Sequence, residues 1–297
     1  MISLGVIGEC MLEFSQHEDT YQLGYGGDVF NAAVYATRLG LDVSFFTATG
    51  DDYYSDYLVD AWTREGVKTD TVRIIPGGTP GLYIIQTDHT GERSFHYWRD
   101  ATLFKRLLAP GSYLNSLPDQ LAQHQCIYFS GISMALLAEN DRHRLLDLLA
   151  AYRKTGGLVT FDPNYRSRLW HDNKEAAHWI DRAYGVSDMA LPSYDDEALL
   201  RTETSQEALV QHIIDLGVQE LVLKDGASDV TVFREGKSEK LPTEPVNAIV
   251  DTTAAGDAFN GGYLSARLKG ADAITSAKQG CSTAARVIQH RGAIIPE

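Results

Sequence analysis

The sequence predicts an α/β fold with a mostly parallel central sheet, helices on both of its faces and a small β insertion. Three observations lead there. Short apolar runs alternate with longer amphipathic stretches, the rhythm of a parallel sheet whose crossovers are helices. Several short runs are apolar throughout rather than alternating, as strands covered on both faces are. One pair of strand-like segments sits close together in the chain and reads as an inserted hairpin.

In chain order, strands are expected at Ile2–Ile7, Val43–Thr47, Ile127–Ser130, Leu158–Phe161, Met189–Leu191 and Leu221–Lys224. Helical patterns lie between them, near Val29–Leu39, Tyr54–Glu65, Arg142–Lys154, Lys174–Tyr184 and Gln206–Leu216. The hairpin consists of Gly81–Thr87 and Ser94–Trp98, joined by Asp88-His-Thr-Gly-Glu92, whose Gly91 suits a hairpin loop. The extended, polar stretch Glu13–Tyr25 can join it. Such an insertion commonly works as a lid or an interface. Val246–Val250 can form a strand or an extended arm, and beyond it Phe259, Gly262, Tyr263 and Ala266 recur at helical spacing. No repeat, low-complexity tract or linker divides the chain, so residues 1–297 read as one domain with a discontinuous β lid from about 13–25 and 72–100.

With 44% hydrophobic residues over 297 positions, the chain can bury a sizeable core, which excludes a disordered protein. Lysine and arginine total 26 against 40 acidic residues, a net charge of −14. That balance argues against general nucleic-acid binding and against docking on an anionic membrane. Cys10, Cys126 and Cys281 are scattered and odd in number, which fits reduced thiols in a reducing compartment. The chain opens on a strand-like run with no signal-peptide pattern, and no apolar run approaches the roughly 20 residues of a membrane helix. A cytoplasmic protein is the expectation.

The strongest chemical feature is Asp251-Thr-Thr-Ala-Ala-Gly-Asp257, followed by Ala258-Phe-Asn-Gly-Gly-Tyr-Leu264. Small residues fall where the chain turns into a helix, so an anion can approach the N–H groups of the first turn. Asp257 sits at the mouth of that site, where a carboxylate can take a proton from a hydroxyl. A lone Asp251 or Asp257 would read as a helix cap, but a cap does not call for small residues along the approach.

This string resembles the C-terminal signature of the ribokinase-like (PfkB) carbohydrate kinases, Asp-Thr-x-Gly-Ala-Gly-Asp, with Ala254 in place of the first Gly. The family's N-terminal signature is matched by Gly26-Gly27-Asp28-Val29-Phe30-Asn31-Ala32-Ala33. Further resemblance lies in Ile7-Gly-Glu-Cys-Met11, Thr90-Gly-Glu-Arg93 with Tyr97-Trp-Arg99, and Phe129-Ser-Gly-Ile-Ser133. It continues in Asp162-Pro-Asn-Tyr-Arg166 with Leu169-Trp170, and in Ile288-Gln-His-Arg-Gly-Ala-Ile-Ile-Pro296. The likeness covers essentially the whole chain and is closest to the family's sugar-acid kinases. It implies a ribokinase-like fold, ATP and Mg²⁺ as cofactors, and transfer of the γ-phosphate of ATP to the C6 hydroxyl of 2-keto-3-deoxy-D-gluconate.

The resemblance also implies roles. Asp257 is the expected general base, and Ala254, Ala255 and Gly256 form the anion hole. Gly27 and Asn31 contact the sugar acid. Tyr83, Tyr97 and Arg99 close over it from the lid, and Arg166 reaches it from the end of the Leu158–Phe161 strand. Asn164, Ser193, Lys224, Gly226, Asp229 and Gly256 lie along the nucleotide, with Ala285 and Gln289 near adenine. Read without the resemblance, Gly26-Gly27 can be a plain turn, Arg99 and Arg166 solvated charges, and Tyr83 and Tyr97 half-buried strand aromatics. The family's Asn-x-x-Glu is matched only by Ser193-Tyr-Asp-Asp196, so no protein metal ligand is expected. Two other readings stay open: a kinase of this fold acting on fructose, ribose or a nucleoside, and a non-catalytic sugar-sensing module. An exposed lid edge could pair two copies into a homo-oligomer.

Two apparent motifs carry no chemistry. Gly236-Lys237-Ser238 ends like a phosphate-binding loop, but Thr231 stands where the first Gly is needed. Gly24-Tyr-Gly26 begins a dinucleotide-binding pattern but lacks its third Gly.

Overall fold

The computed structural model describes residues 2–17, 20–87, 93–201 and 205–296. An eight-stranded sheet runs in the spatial order Lys237–Leu241, Val230–Arg234, Glu220–Leu223, Met189–Ala190, Leu158–Asp162, Cys126–Ser130, Ser3–Ile7 and Asp42–Phe46. The last six are mutually parallel, and each corresponds to one of the six apolar runs. The first two add an antiparallel hairpin at one edge.

The apolar runs have a physical origin in the layers. Successive strand side chains point to opposite faces. Ile127 and Phe129 join one core cluster, with the helices Glu139–Lys154, Asn173–Gly185 and Gln206–Asp215. Cys126 and Tyr128 join the other, with the helices Asp28–Arg38, Ala255–Leu268 and Ala273–Val287. Both faces are therefore dry, and a strand with no wet face has few polar positions.

Some elements were silent in the sequence. The helix Ser112–Leu121 carries Pro118 in its interior. The hairpin Val230–Arg234/Lys237–Leu241 turns at Glu235 and Gly236, both with positive φ (53° and 74°), the pattern of a tight two-residue hairpin turn. Its outer strand is mostly exposed and polar, so no apolar alternation marks it. Gly236, Lys237 and Ser238 thus belong to this hairpin. Val246–Val250 forms no strand and runs as an irregular segment whose Val250 N–H donates to the Ile288 carbonyl at 2.8 Å.

A second sheet has four strands in the order Thr20–Gly26, Met11–His17, Leu82–Thr87 and Arg93–Trp98. The expected hairpin is there, with Tyr83 opposite Tyr97 in register; its loop 88–92 lies outside the described residues. The earlier part of 72–100 does not join this sheet, because Arg73–Ile74 pairs instead with Ala48–Thr49. Met11, Tyr83 and Ile85 make a small buried cluster on the sheet, with Phe95 and Tyr97 packed against it.

Candidate active site

A cleft of about 990 Å³ lies between the carboxyl ends of the central strands and the aromatic face of the small sheet. Open α/β sheets bind ligands at that end. Glu9 follows Ser3–Ile7, Asp162 ends Leu158–Asp162, and Lys224 follows Glu220–Leu223. Ser193 is bridged to Lys224 in parallel register. All four residues line the cleft.

The floor is the start of the helix Ala255–Leu268. Ala254 is its N-cap residue, with φ 60° and ψ 17° and no side-chain cap. The carboxylate of Asp251 does different work: it accepts from the Thr253 N–H at 3.0 Å and the Gly292 N–H at 2.7 Å, tying the loop to the C-terminal segment. Asp257, in the first turn, accepts a 2.8 Å hydrogen bond from Asn31 Nδ2. Neither aspartate caps the helix. A left-handed conformation costs a residue with a Cβ about 1–2 kcal/mol, and glycine avoids it. Ala254→Gly should therefore stabilise the protein by up to about 1 kcal/mol; urea unfolding showing no gain would mean that neighbouring packing prefers the methyl group.

Lys224 Nζ donates to Asp162 Oδ2 and to Asn260 Oδ1, both at 3.0 Å. Asn260 in turn donates to Asp162 Oδ2 at 2.5 Å. A Cβ on Gly256 would lie 3.6 Å from Lys224 Nζ, so the cation stands beside the first turn of the helix. Asn164 takes φ 33°. Its N–H donates to Asp162 Oδ1 and its Nδ2 to Asp28 Oδ2, each at 3.0 Å. Burial, and then the nearby carboxylate of Asp28, push the carboxyl of Asp257 up to about 8, against the opposing Asn31 hydrogen bond. Burial raises Asp28 as well. A carboxylate raised in this way is a stronger base than an ordinary one.

The upper wall is aromatic and cationic. Tyr83 and Tyr97 stack with centroids 5.6 Å apart, and the Tyr83 hydroxyl donates to Glu13 Oε2. Arg99 is buried and pairs with Glu9. Arg99 Nε and Glu9 Oε1 are buried without partners, an unused donor and acceptor. Arg166 gives both oxygens of Asp196 a hydrogen bond from Nη1, at 2.9 and 3.0 Å. Gly27 sits where a Cβ would meet the Glu9 carbonyl oxygen at 2.2 Å, so only glycine lets these two segments touch.

The cleft gathers Gly27, Asn31, Tyr83, Tyr97, Arg99, Asn164, Arg166, Ser193, Lys224, Gly226, Ala254, Ala255, Gly256, Asp257 and Ala285. Two expected residues lie off its wall. Asp229 is exposed in the turn before Val230–Arg234. Gln289 is exposed and folds back to donate to the Ala285 carbonyl at 2.9 Å. The structure adds Glu9, Asp28, Asp162, Arg168 and Asn260 to this network. Glu9 and Asp162 stand at strand ends, and Asn260 lies one helical turn beyond Asp257, positions from which the fold rule and helical spacing point into the cleft. Cys281, Ala284, Ala285 and Ile288 line the cleft at the i, i+3, i+4, i+7 spacing of one helix face.

The pfkB family carbohydrate kinase model matches residues 1–297. The chain belongs to that family. It is 44% identical to the 2-dehydro-3-deoxygluconokinase of Dickeya dadantii (strain 3937), over 99% of this chain and 97% of that one. It is 41% identical to the 2-dehydro-3-deoxygluconokinase of Escherichia coli (strain K12), with the same coverage. A solved structure of a putative ribokinase II from E. coli in complex with ATP and Mg²⁺ superposes with a TM-score of 0.84 over 99% of this chain and 94% of that one, at 20% identity. The ribokinase-like fold is thereby established, and the chain is a carbohydrate kinase rather than a non-catalytic module. Among the described residues, no helix is long and apolar enough to cross a membrane.

Proposed function

We propose that this kinase transfers the γ-phosphate of ATP to the C6 hydroxyl of 2-keto-3-deoxy-D-gluconate, in the cytoplasm. The carrying observation is the carboxylate of Asp257, held by Asn31 at 2.8 Å in the first turn of a helix that opens into the cleft. One group can take a hydroxyl proton there while the adjacent N–H groups receive a phosphate. Family membership supports the phosphate donor. The full-length likeness to 2-dehydro-3-deoxygluconokinases supports the acceptor.

Phosphoryl transfer asks the protein for positioning and charge stabilisation more than for covalent chemistry. Asp257 removes the hydroxyl proton, and its raised affinity for that proton suits the task. Ala254, Ala255 and Gly256 leave room for the phosphate at the helix N-terminus, and Lys224 brings a positive charge beside Gly256. Gly27 and Asn31, with the unpaired acceptor of Glu9 and donor of Arg99, orient the sugar's oxygens. Asn164, Ser193, Gly226 and Ala285 flank the nucleotide. The small sheet serves as the lid that excludes water and suppresses hydrolysis of ATP.

The donor set also suits Mg²⁺. Asp196, Asn164 and Ser193 offer hard oxygen atoms on the cleft wall. That fits an ion carried mainly by nucleotide phosphates and water. When bound, Mg²⁺ would neutralise charge on the phosphate oxygens, with Asp196, Asn164 and Ser193 holding its waters.

The test is ADP formation with 2-keto-3-deoxygluconate, gluconate, fructose, ribose and a nucleoside. The highest kcat/KM is expected for 2-keto-3-deoxygluconate. A higher value for a neutral sugar or a nucleoside would overturn the sugar-acid reading and leave the family assignment intact.

A further inference from the structure

We infer that Arg168, rather than Arg99 or Arg166, supplies the unpaired positive charge that selects an acidic sugar. The inference rests on the sugar-acid reading above and names the residue that enforces it.

Among the described residues, four cationic side chains line the cleft: Arg99, Arg166, Arg168 and Lys224. Three are already neutralised by a carboxylate, Arg99 by Glu9, Arg166 by Asp196 and Lys224 by Asp162. A substrate carboxylate beside any of these would be the second anion around one cation. Arg168 makes no ion pair among the described residues, and it is exposed to the cleft.

Its geometry suits anion capture. Arg168 stands on the 3₁₀ turn Ser167–Leu169, just after the Leu158–Asp162 strand. It crosses to the small sheet, where its guanidinium carbon lies 3.9 Å from the Tyr97 ring centroid. Tyr97 is itself stacked on Tyr83. Stacking occupies the face of a guanidinium and leaves its edge of N–H donors open, the edge that grips a carboxylate with two parallel hydrogen bonds. The aromatic ring fixes the plane of the fork before the substrate arrives, so less entropy is lost on binding. The Arg99–Glu9 pair, with one free donor and one free acceptor, matches a hydroxyl or keto oxygen instead. The body of the enzyme thus contributes the charge, and the small sheet holds it in orientation.

The experiment compares Arg168→Met and Arg168→Lys with the parent, using 2-keto-3-deoxygluconate and its uncharged methyl ester. A hydrogen-bonded charge of this kind is worth about 10- to 150-fold. Arg168→Met should cut kcat/KM for the acid by about that factor, change the KM for ATP less than about twofold, and hardly affect the ester. Arg168→Lys should recover part of the loss, because it restores charge without the planar fork. Tyr97→Ala should lower acid selectivity, and Tyr97→Phe should preserve it. Arg168 is exposed, so folding is not at stake, and unchanged thermal unfolding would verify that. If the parent prefers the acid and Arg168→Met keeps the preference, the inference fails and the sugar-acid reading stands. If the parent itself shows no preference for acid over ester, the sugar-acid reading fails. Equal losses for acid, ester and ATP would make Arg168 a support for the small sheet and overturn its role in selectivity.

Discussion

Asp257→Asn should reduce turnover by at least about 100-fold, the lower end of what removing a general base costs, while ATP binding and the fold survive. The amide can still accept the hydrogen bond from Asn31, so the geometry is kept and only the proton acceptor is lost. Turnover within a few-fold of the parent would show that Asp257 merely holds Asn31. The same variant has a second signature. In the folded chain the carboxyl of Asp257 is raised to about 8 from an ordinary 3.8. The folded state then binds this proton more tightly than the unfolded one. Between about pH 4 and pH 8, rising pH therefore costs the parent stability, and asparagine is free of that cost. The thermal midpoint of Asp257→Asn minus that of the parent should grow from pH 4 to pH 8.5. A constant difference would mean that Asp257 titrates like a solvated carboxylate. In the parent, the acid limb of kcat/KM should sit well above the ordinary carboxylate range for the same reason.

Lys224→Met should be the most destabilising of the cleft substitutions. Lys224 and Asp162 are both well buried, at 12% and 5% side-chain exposure, and Asn260 is shared between them. Removing the cation strands Asp162 near Asp28 and Asp257, whose carboxyls are both raised by burial and, further, by the charge of Asp162. Breaking a buried pair from one side costs about 3–5 kcal/mol. The double variant Lys224→Met with Asp162→Asn should recover much of that loss, because the stranded charge is gone. Urea unfolding measures both. A single-variant cost below about 1 kcal/mol would mean that Asp162 carries no buried charge for the lysine to balance. Catalysis should fall in both variants, since Lys224 also stands beside Gly256.

The central layer was legible because its signal is local. Six strands dry on both faces read as six apolar runs, and amphipathic helices on each face carry the matching period. The loop before Asp257 was legible as a candidate site because small residues there are unusual for a mere cap. The inserted hairpin was legible from two strand-like segments joined by a glycine-bearing loop. The Val230–Arg234/Lys237–Leu241 hairpin was not, since its edge strand faces water and has no apolar face to show. Ser112–Leu121 was hidden by Pro118.

Charge pairing in the cleft needed the tertiary structure. Arg99 and Glu9 lie 90 residues apart, Arg166 and Asp196 lie 30 apart, and Lys224 and Asp162 lie 62 apart. Sequence shows that arginines are present near the substrate signature, but it does not show which are already neutralised. A residue type fixes the charge a side chain can carry; only the packing of distant strands and helices fixes how much of that charge is left for a ligand. By itself the sequence determined the fold and the family, and it singled out Asp257 as the candidate base. The folded chain decided that Asp251 fastens a loop, that Asp257 is raised by burial and by its acidic neighbours, and that Arg168 is the cation left without a carboxylate among the described residues, because each depends on a distance between residues far apart in the chain.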